Sequence, residues 1–389
     1  MRRRGSGGDP GASGSPPGRP DLHGGGGSAA KRPEIHPAGT RRLRRSPVRY
    51  LTASILVFIT CLLLLVQAGA SGARSRVEPT ATPATTCSPE FRVAFITDVA
   101  GLRSAADADG WRGVGDAVRD RPCAHASLIT PSRPSEYRGA LQARADAHDD
   151  LVIAASFLLT DAVIDAARAN PGTRFVLVDP LVAPPGLRNL AVLSFREDQA
   201  AYLAGALAGM ATRSGVVAGV YGPDGATDQA HRLGFEHGAR YARPNVRVLG
   251  AYQPASEGAP YANPEWGAEQ ARAFIAQGAD VIFGAGGTTG QGALVAVAQA
   301  GRSCIGSGTS EGSAAGCLLT STVTYIDRAV GATIIDAAAG RWSGGIQPLG
   351  LAERAVGLAP FQRPLPDDVR SRLQQITDQL AAGKLTTGA

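Results

Sequence analysis

From Phe91 to Leu358, short apolar runs alternate with longer runs rich in Ala and Leu, and this alternation constrains the fold more than any other feature. Phe91–Thr97, Ala126–Thr130, Leu151–Ala155, Arg174–Asp179 and Leu190–Phe195 read as buried strands. Val216–Tyr221, Val246–Ala251, the run from Val281, Cys304–Gly306 and Leu318–Val323 repeat the pattern. Helices are expected between them, among them Gly110–Arg119, Glu197–Ala211, Asp228–Ala242, Pro264–Gln277 and Asp327–Ala339. Strands alternating with helices imply parallel sheets in an α/β fold. About 270 residues of this pattern are too many for one such sheet, so two similar lobes are expected. Leu349–Leu358 reads as one extended segment. Asp367–Ala382 reads as an amphipathic helix, with Val369, Leu373, Ile376 and Leu380 on one face.

The stretch Val281-Ile-Phe-Gly-Ala-Gly-Gly-Thr-Thr-Gly-Gln-Gly292 reads as strand, tight turn and helix start. Its glycines allow a close approach to the backbone, and a helix N-terminus offers free N–H groups. Ligands of open α/β sheets sit outside the carboxyl ends of strands, where such turns lie. Gly286 and Gly287 are therefore candidates for the wall of a site. An ordinary glycine-rich strand-to-helix turn is the competing reading. The turn lacks the Lys of a phosphate loop, and the chain has no His-Glu-x-x-His motif. No catalytic set and no cofactor is expected.

Residues 1–50 hold ten Arg and one Lys against Asp9, Asp21 and Glu34, a net +8 in a chain of +6, so the remainder carries −2. The basic balance belongs to the tail, and nucleic-acid binding by the folded part is not expected. Residues 1–47, rich in Gly, Pro, Ser and Arg, are expected to be a disordered basic cytoplasmic tail. No charge occurs from Tyr50 to Ala73. Residues 48–70 are expected to be a transmembrane helix or a signal peptide, cleavable after Ala70. The flank Arg41–Arg49 puts the N-terminus inside, so the chain beyond the uncharged run lies outside the cell membrane, tethered or secreted. Residues 71–88 read as a linker. Cys87, Cys123, Cys304 and Cys317 then face an oxidising compartment. Cys87 and Cys123 each precede one of two neighbouring strands, and Cys304 and Cys317 flank one short loop. Disulfides 87–123 and 304–317 are therefore expected, and their spacing fits no zinc site.

Further runs resemble a known family. Asn189–Gly209, "NLAVLSFREDQAAYLAGALAG", resembles the Phe-Arg-Glu segment with Tyr-Leu-Ala-Gly of the basic membrane protein (Bmp) family of solute-binding proteins, receptors for ABC importers. "GFEHGA" (Gly234–Ala239), "GADVIFGAGGTTGQG", "LLTSTV" (Leu318–Val323) and "PLGLAERAVGLAPF" continue the resemblance in order, from Phe91 to Phe361. The resemblance implies a type I periplasmic-binding fold: two Rossmann-like lobes, about 89–194 and 195–320, within a domain of 89–363, with later segments crossing back. Residues 364–389 would be a C-terminal helix and tail. It also implies a monomer, a small-molecule ligand in the cleft and an ABC permease as partner.

The departures bear on the ligand. In "RSAADADGWRG" Trp111 and Gly113 match the family, but Ala106 stands at its stacking Phe and Asp107 at its Asn. Ser307 and Thr309 replace two acids, or Gly308 and Ser310 do if the match shifts by one residue, and Thr324 replaces a Lys. The family's charged grip on sugar hydroxyls is thus absent, and a weak or absent response to purine nucleosides is expected. The expected ligand-binding residues are Asp98, Asp107, Phe157, Asp179, Tyr261, Trp266, Gly286, Gly287, Ser307, Thr309 and Thr324. Phe157, Tyr261 and Trp266 offer apolar faces. Caps or turns are the competing roles for Asp98 and Asp179. A solvated or core-edge His is expected at His231, and a backbone contact at the hinge for Glu197. A membrane-tethered ligand sensor or structural module is the alternative function.

Overall fold

The computed structural model describes residues 89–180, 186–308 and 316–389. One sheet contains β1 (Phe91–Ile96), β2 (Ala124–Ile129), β3 (Leu151–Ala154), β4 (Arg174–Val178), β5 (Leu190–Phe195) and β11 (Gly345–Leu349), in the order β11-β5-β4-β3-β1-β2 with every pair parallel. The other contains β6 (Val216–Pro223), β7 (Arg247–Gln253), β8 (Val281–Gly284), β9 (Ser303–Ser307), β10 (Leu318–Thr324) and β12 (Val356–Leu358), in the order β12-β10-β9-β8-β6-β7. Only the short β12–β10 pair in that sheet is antiparallel. The central strands β3 and β8 are buried at every residue, while the edge strand β2 is largely uncovered. This difference follows from helices packing on both faces of a parallel sheet and not beyond its edge. The two-lobed α/β architecture expected from the alternation is therefore present.

The connecting helices are α1 (Ala105–Arg119), α2 (Tyr137–Asp146), α3 (Thr160–Ala169), α4 (Glu197–Ala211), α5 (Ala226–Ala242), α6 (Pro264–Ala276), α7 (Gly287–Gln299), α8 (Ile326–Ala338) and α9 (Asp367–Ala381). Helix α1 contains the expected helical run Gly110–Arg119 and starts at Ala105. Ser104 caps it by accepting from the Asp107 N–H at 3.4 Å, so Ala106 and Asp107 lie in its first turn and not in a loop.

The chain crosses between the sheets three times. The first crossing runs from β5 into α4, the second from β10 into α8, and the third from β11 to β12. The Arg196 N–H donates to the Leu349 carbonyl at 2.9 Å, and the Tyr325 N–H to the Ala355 carbonyl at 2.8 Å, so the crossings are bonded to one another. The third crossing corrects the expected single extension over Leu349–Leu358. Its chain ends β11 in the first sheet, turns through Gly350–Arg354 with Arg354 at φ 57, and only then enters the second sheet. A strand cannot serve both sheets without breaking, so a turn is required. After the second crossing α8 packs on α1, where a Cβ at Gly113 would come within 2.2 Å of the Asp327 carbonyl oxygen.

Several of the runs that resemble the family are packing devices. Added Cβ atoms at Gly205 and Gly238 would come within 1.9 Å of the Phe235 carbonyl oxygen and 2.0 Å of the Tyr202 carbonyl oxygen, respectively. "YLAGALAG" and "GFEHGA" therefore face each other as the surfaces on which α4 and α5 meet backbone to backbone. Helix α9 buries Leu373, Ile376 and Leu380 in the same core cluster as α4. The tail behind it is pinned by the Thr387 hydroxyl, which donates to Asp198 Oδ2 at 2.5 Å.

Cys304 and Cys317 form a disulfide, as expected. Cys123 is disulfide-bonded as well; Cys87 lies outside the described residues. The tail, the uncharged run and the linker also lie outside them. Among the described residues no helix is long and apolar enough to cross a membrane.

Candidate functional site

In each sheet the strand order reverses once near its middle, between β1 and β3 in the first and between β6 and β8 in the second. A crevice opens outside the strand ends at such a point. Side chains shape the two crevices differently.

At the first, Asp98 follows β1 and Phe157 follows β3. Asp98 accepts from the Ala100 N–H at 2.7 Å and from the Ser156 hydroxyl at 3.0 Å, so its carboxylate ties the two loops together. The turn-forming role accounts for both bonds. Phe157 is 45% exposed and lies beside the exposed Leu158, with Val99 and Leu102 exposed on the loop after β1, an apolar rim that no described residue covers. Asp107 is 1% exposed, and its Oδ2 has no hydrogen-bond partner. Burial, and then the charge of Asp98, push its carboxyl up to about 6.

At the second crevice the protein fills its own site. Gly286 has φ 84, and a Cβ there would lie 2.1 Å from the Gly222 nitrogen, so this glycine lets the turn after β8 abut the turn after β6. Gly287, at φ 62, faces the Tyr261 carbonyl in the same way. That carbonyl accepts the Thr288 N–H at 2.9 Å and the Thr288 hydroxyl at 3.0 Å. The Thr288 and Thr289 N–H groups in the first turn of α7 are therefore occupied, and an anion bound to them would have to displace Tyr261. The ordinary strand-to-helix turn explains Gly286, while Gly287 remains exposed. Tyr261 is itself held at φ 62, with its N–H on Gln253 Oε1 at 3.2 Å. Buried Gln253 also accepts from the Thr289 hydroxyl at 2.8 Å, so it organises this whole wall. Trp266 does not join the wall: it is 8% exposed and packs in the core beside Ala218, Val220 and Phe274, because α6 begins there with Asn263 capping its N–H.

Between the crevices lies a polar hinge. Glu197 opens α4, and Thr324 ends β10. The Thr324 hydroxyl donates to Glu197 Oε1 at 3.2 Å, joining the first crossing to the second. His231 Nε2 lies 3.9 Å from Glu197 Oε2, and its Nδ1 lies 3.1 Å from the Thr227 carbonyl oxygen. The Glu197 contacts therefore correct the expectation of a backbone bond, and His231 is buried and not solvated. One turn earlier on α5, Asp228 accepts the Gly222 N–H at 2.8 Å with Oδ1, and the Tyr261 phenol faces the same carboxylate as a donor. Asp179 follows β4 at φ 48 and keeps exposed surface. Surrounding protein, and then the charge of Glu197, push its carboxyl up to about 7. Burial likewise pushes Glu197 up to about 7, against the Thr324 bond. His231 is pushed down by burial, opposed by Asp228. Burial and then Asp228 push the Tyr261 phenol up to about 12. Asp179 and Glu197 line one cavity of about 260 Å³, with Ser194, Thr227 and Ile346.

The fold thus gathers Asp179, Thr324 and Tyr261 around a cluster whose other members are Glu197, Asp228 and His231. Ser307, half-buried, ends β9, and Thr309 lies outside the described residues. The Asp228–His231 spacing of three on a helix, one turn apart, is the sequence signal for this pair. Among the described residues no group of three or more His, Cys, Asp and Glu is arranged to hold a metal.

Residues 109–383 match the model of a family described as ABC transporter substrate-binding protein, PnrA-like, Bmp. The chain is 24% identical over 321 residues to a CD4+ T-cell-stimulating antigen of Listeria innocua, covering 77% of this chain and 88% of the relative. It is 27% identical over 168 residues to basic membrane protein A of Borreliella burgdorferi, covering 43% of this chain and 48% of the relative. An ABC transporter solute-binding protein from Conexibacter woesei superposes with a TM-score of 0.62 at 20% identity, over 76% of this chain and 98% of that one, and so shares the fold.

Proposed function

Since the chain belongs to the Bmp, PnrA-like family of ABC transporter substrate-binding proteins, we propose that it is the extracytoplasmic substrate receptor of an ABC importer. It binds one small polar or aromatic molecule between the lobes, makes and breaks no bond, and passes the ligand to a permease. The observation that carries this reading is the placement of both strand-order reversals around three crossing segments. Closure needs a hinge of few residues, and the crossings supply one. Phe157, Tyr261 and the exposed Gly287 belong to the walls, Asp98 shapes the first crevice, and Asp179, Glu197 and Thr324 form the floor. The domain is held outside the cell membrane by residues 48–70, or released if cleavage follows Ala70.

The family's usual nucleoside is disfavoured. Ser307 and Thr324 stand where charged residues are expected, Thr324 is engaged by Glu197, and neutral hydrogen bonds are weaker than charge-assisted ones. Calorimetry of the full chain in detergent with adenosine, guanosine and inosine should show no submicromolar binding. Crosslinking in cells should join the lobe rims to an ABC permease subunit. Crosslinks to a signalling protein and none to a permease would replace the importer by a tethered sensor using the same cleft.

A further inference from the structure

The second crevice lies outside the carboxyl ends of β6 and β8. At the opposite ends of the same sheet, β8, β9 and β10 begin around a separate recess. We propose that this recess binds a phosphate group carrying two or more negative charges, a phosphomonoester or a pyrophosphate, independently of what the cleft holds.

Three arginines from separate segments converge on this one cavity of about 450 Å³. Arg213 lies in the turn between α4 and β6, Arg302 in the turn between α7 and β9, and Arg363 in the segment between β12 and α9. Ser303 opens β9 at the cavity, whereas Ser307 ends the same strand on the side of the crevice, so the length of a strand separates the two places. Backbone bonds account for the shape of the recess. The Gln362 N–H donates to the Leu319 carbonyl at 3.0 Å, and the Ser303 N–H to the Asp280 carbonyl at 3.1 Å. Neither bond needs an arginine side chain, so packing leaves the three guanidiniums unexplained.

Among the described residues none of the three is paired with an acid. Arg363 Nη2 donates to the Ser303 hydroxyl oxygen at 3.1 Å, and the Arg213 and Arg302 side chains have no hydrogen-bond partner. Asp280 is the one carboxylate in the lining, and its oxygens are already taken. Oδ1 accepts the Thr212 hydroxyl at 2.5 Å, and Oδ2 accepts the Arg213 and Ser214 N–H groups at 2.8 and 2.9 Å. Asp367 and Asp368, at the start of α9, are not in the lining, and Asp367 is bonded to Arg370. Three guanidinium charges thus face one committed carboxylate, in a chain whose residues beyond the first fifty carry a net −2. A guanidinium cannot shed its proton, so only an anion relieves this gathering of like charge. Its planar fork of donors matches two oxygens of a phosphate, and a dianion is attracted about twice as strongly as a carboxylate at the same distance.

The test is calorimetry on the full chain in detergent at low ionic strength, with pyrophosphate, inorganic phosphate and glycerol 3-phosphate set against acetate. We expect one pyrophosphate per chain, bound more tightly than phosphate, and no acetate bound at the same concentration. Raising the salt to about 0.15 M should weaken binding several-fold, because exposed charges are then screened over about 8 Å. Arg213→Gln, Arg302→Gln and Arg363→Gln should each weaken it by about fivefold or more, while Arg272→Gln on α6, outside the cavity, should not. Phenylglyoxal labelling of the wild type, mapped peptide by peptide, should show pyrophosphate protecting the three cavity arginines and not Arg272. That result stands even if a variant fails to fold. Labelling of the full chain in phosphatidylcholine liposomes, with and without phosphatidic acid, separates two sources of the group. Protection by phosphatidic acid assigns it to a lipid headgroup, and protection by added pyrophosphate alone assigns it to a soluble phosphate. No pyrophosphate binding at millimolar concentration, an equal loss in Arg272→Gln, or no protection of the three arginines overturns the inference.

Discussion

The two crevices share one topology and differ in what fills them. At the first, Asp98 bonds to Ser156 and leaves Phe157 and Leu158 facing outward. At the second, Gly286 lets two turns touch, and the Tyr261 carbonyl takes the α7 donors that an anion would use. A strand-order reversal thus provides a place for a ligand but not the ligand's chemistry. In this chain the second lobe spends its glycines on holding itself together, and the titratable groups gather at the hinge.

The sharpest way to break this comparison is to add side chains to the packed crevice. Gly286→Val places branched carbons on the Gly222 backbone at a left-handed φ, and should cost about 3 kcal/mol or more. A loss of many degrees in melting temperature is expected. A variant as stable as wild type, with only ligand binding lost, would show that Gly286 lines a ligand site after all. Next in size is the disulfide of the same lobe. Replacing Cys304 and Cys317 together by Ser should cost about 2–3 kcal/mol, from the chain entropy of a loop this short, read as a lower denaturant midpoint.

A smaller effect belongs to the hinge. Glu197 and Asp179 have folded values raised above their unfolded ones, so the fold binds more protons than the unfolded chain between about pH 4 and 7. Their contribution is full below that window and is lost as pH rises through 7. His231, pushed down, acts oppositely as pH falls through its unfolded value. Without ligand, wild type should therefore lose stability relative to Glu197→Gln between pH 5 and 8, in paired thermal melts. A constant difference would mean that Glu197 is ionised throughout. The smallest stability effect is expected at the open crevice. Phe157→Ala removes a half-exposed ring and should change stability by less than about 0.5 kcal/mol, while weakening binding of whatever ligand the wild type retains.

Period and composition are enough to read the two lobes, because buried parallel strands and Ala-rich helices leave those marks in any sequence. The site is less legible. Gly286 and Trp266 resemble ligand contacts in sequence because a glycine turn and an aromatic before a helix have the same local pattern whether they face a ligand or a neighbour. Their partners, Gly222 for Gly286 and Ala218 and Val220 for Trp266, lie far along the chain. The grouping of Glu197, Asp228 and His231 is hidden for the converse reason. Asp228 and His231 share one helix turn, but only the crossing from β5 into α4 brings Glu197 beside His231. Asp107 reads as a loop residue until Ser104 is recognised as a helix cap.

The most direct test of the central claim is native mass spectrometry of the full chain, isolated gently from its membranes and compared with the same protein unfolded and refolded in clean buffer. The account predicts a one-to-one adduct of a small molecule on the first sample, absent from the second and reduced by Asp179→Asn and Glu197→Gln. Identical bare masses for both samples, together with no closure on any ligand class added back, would contradict it.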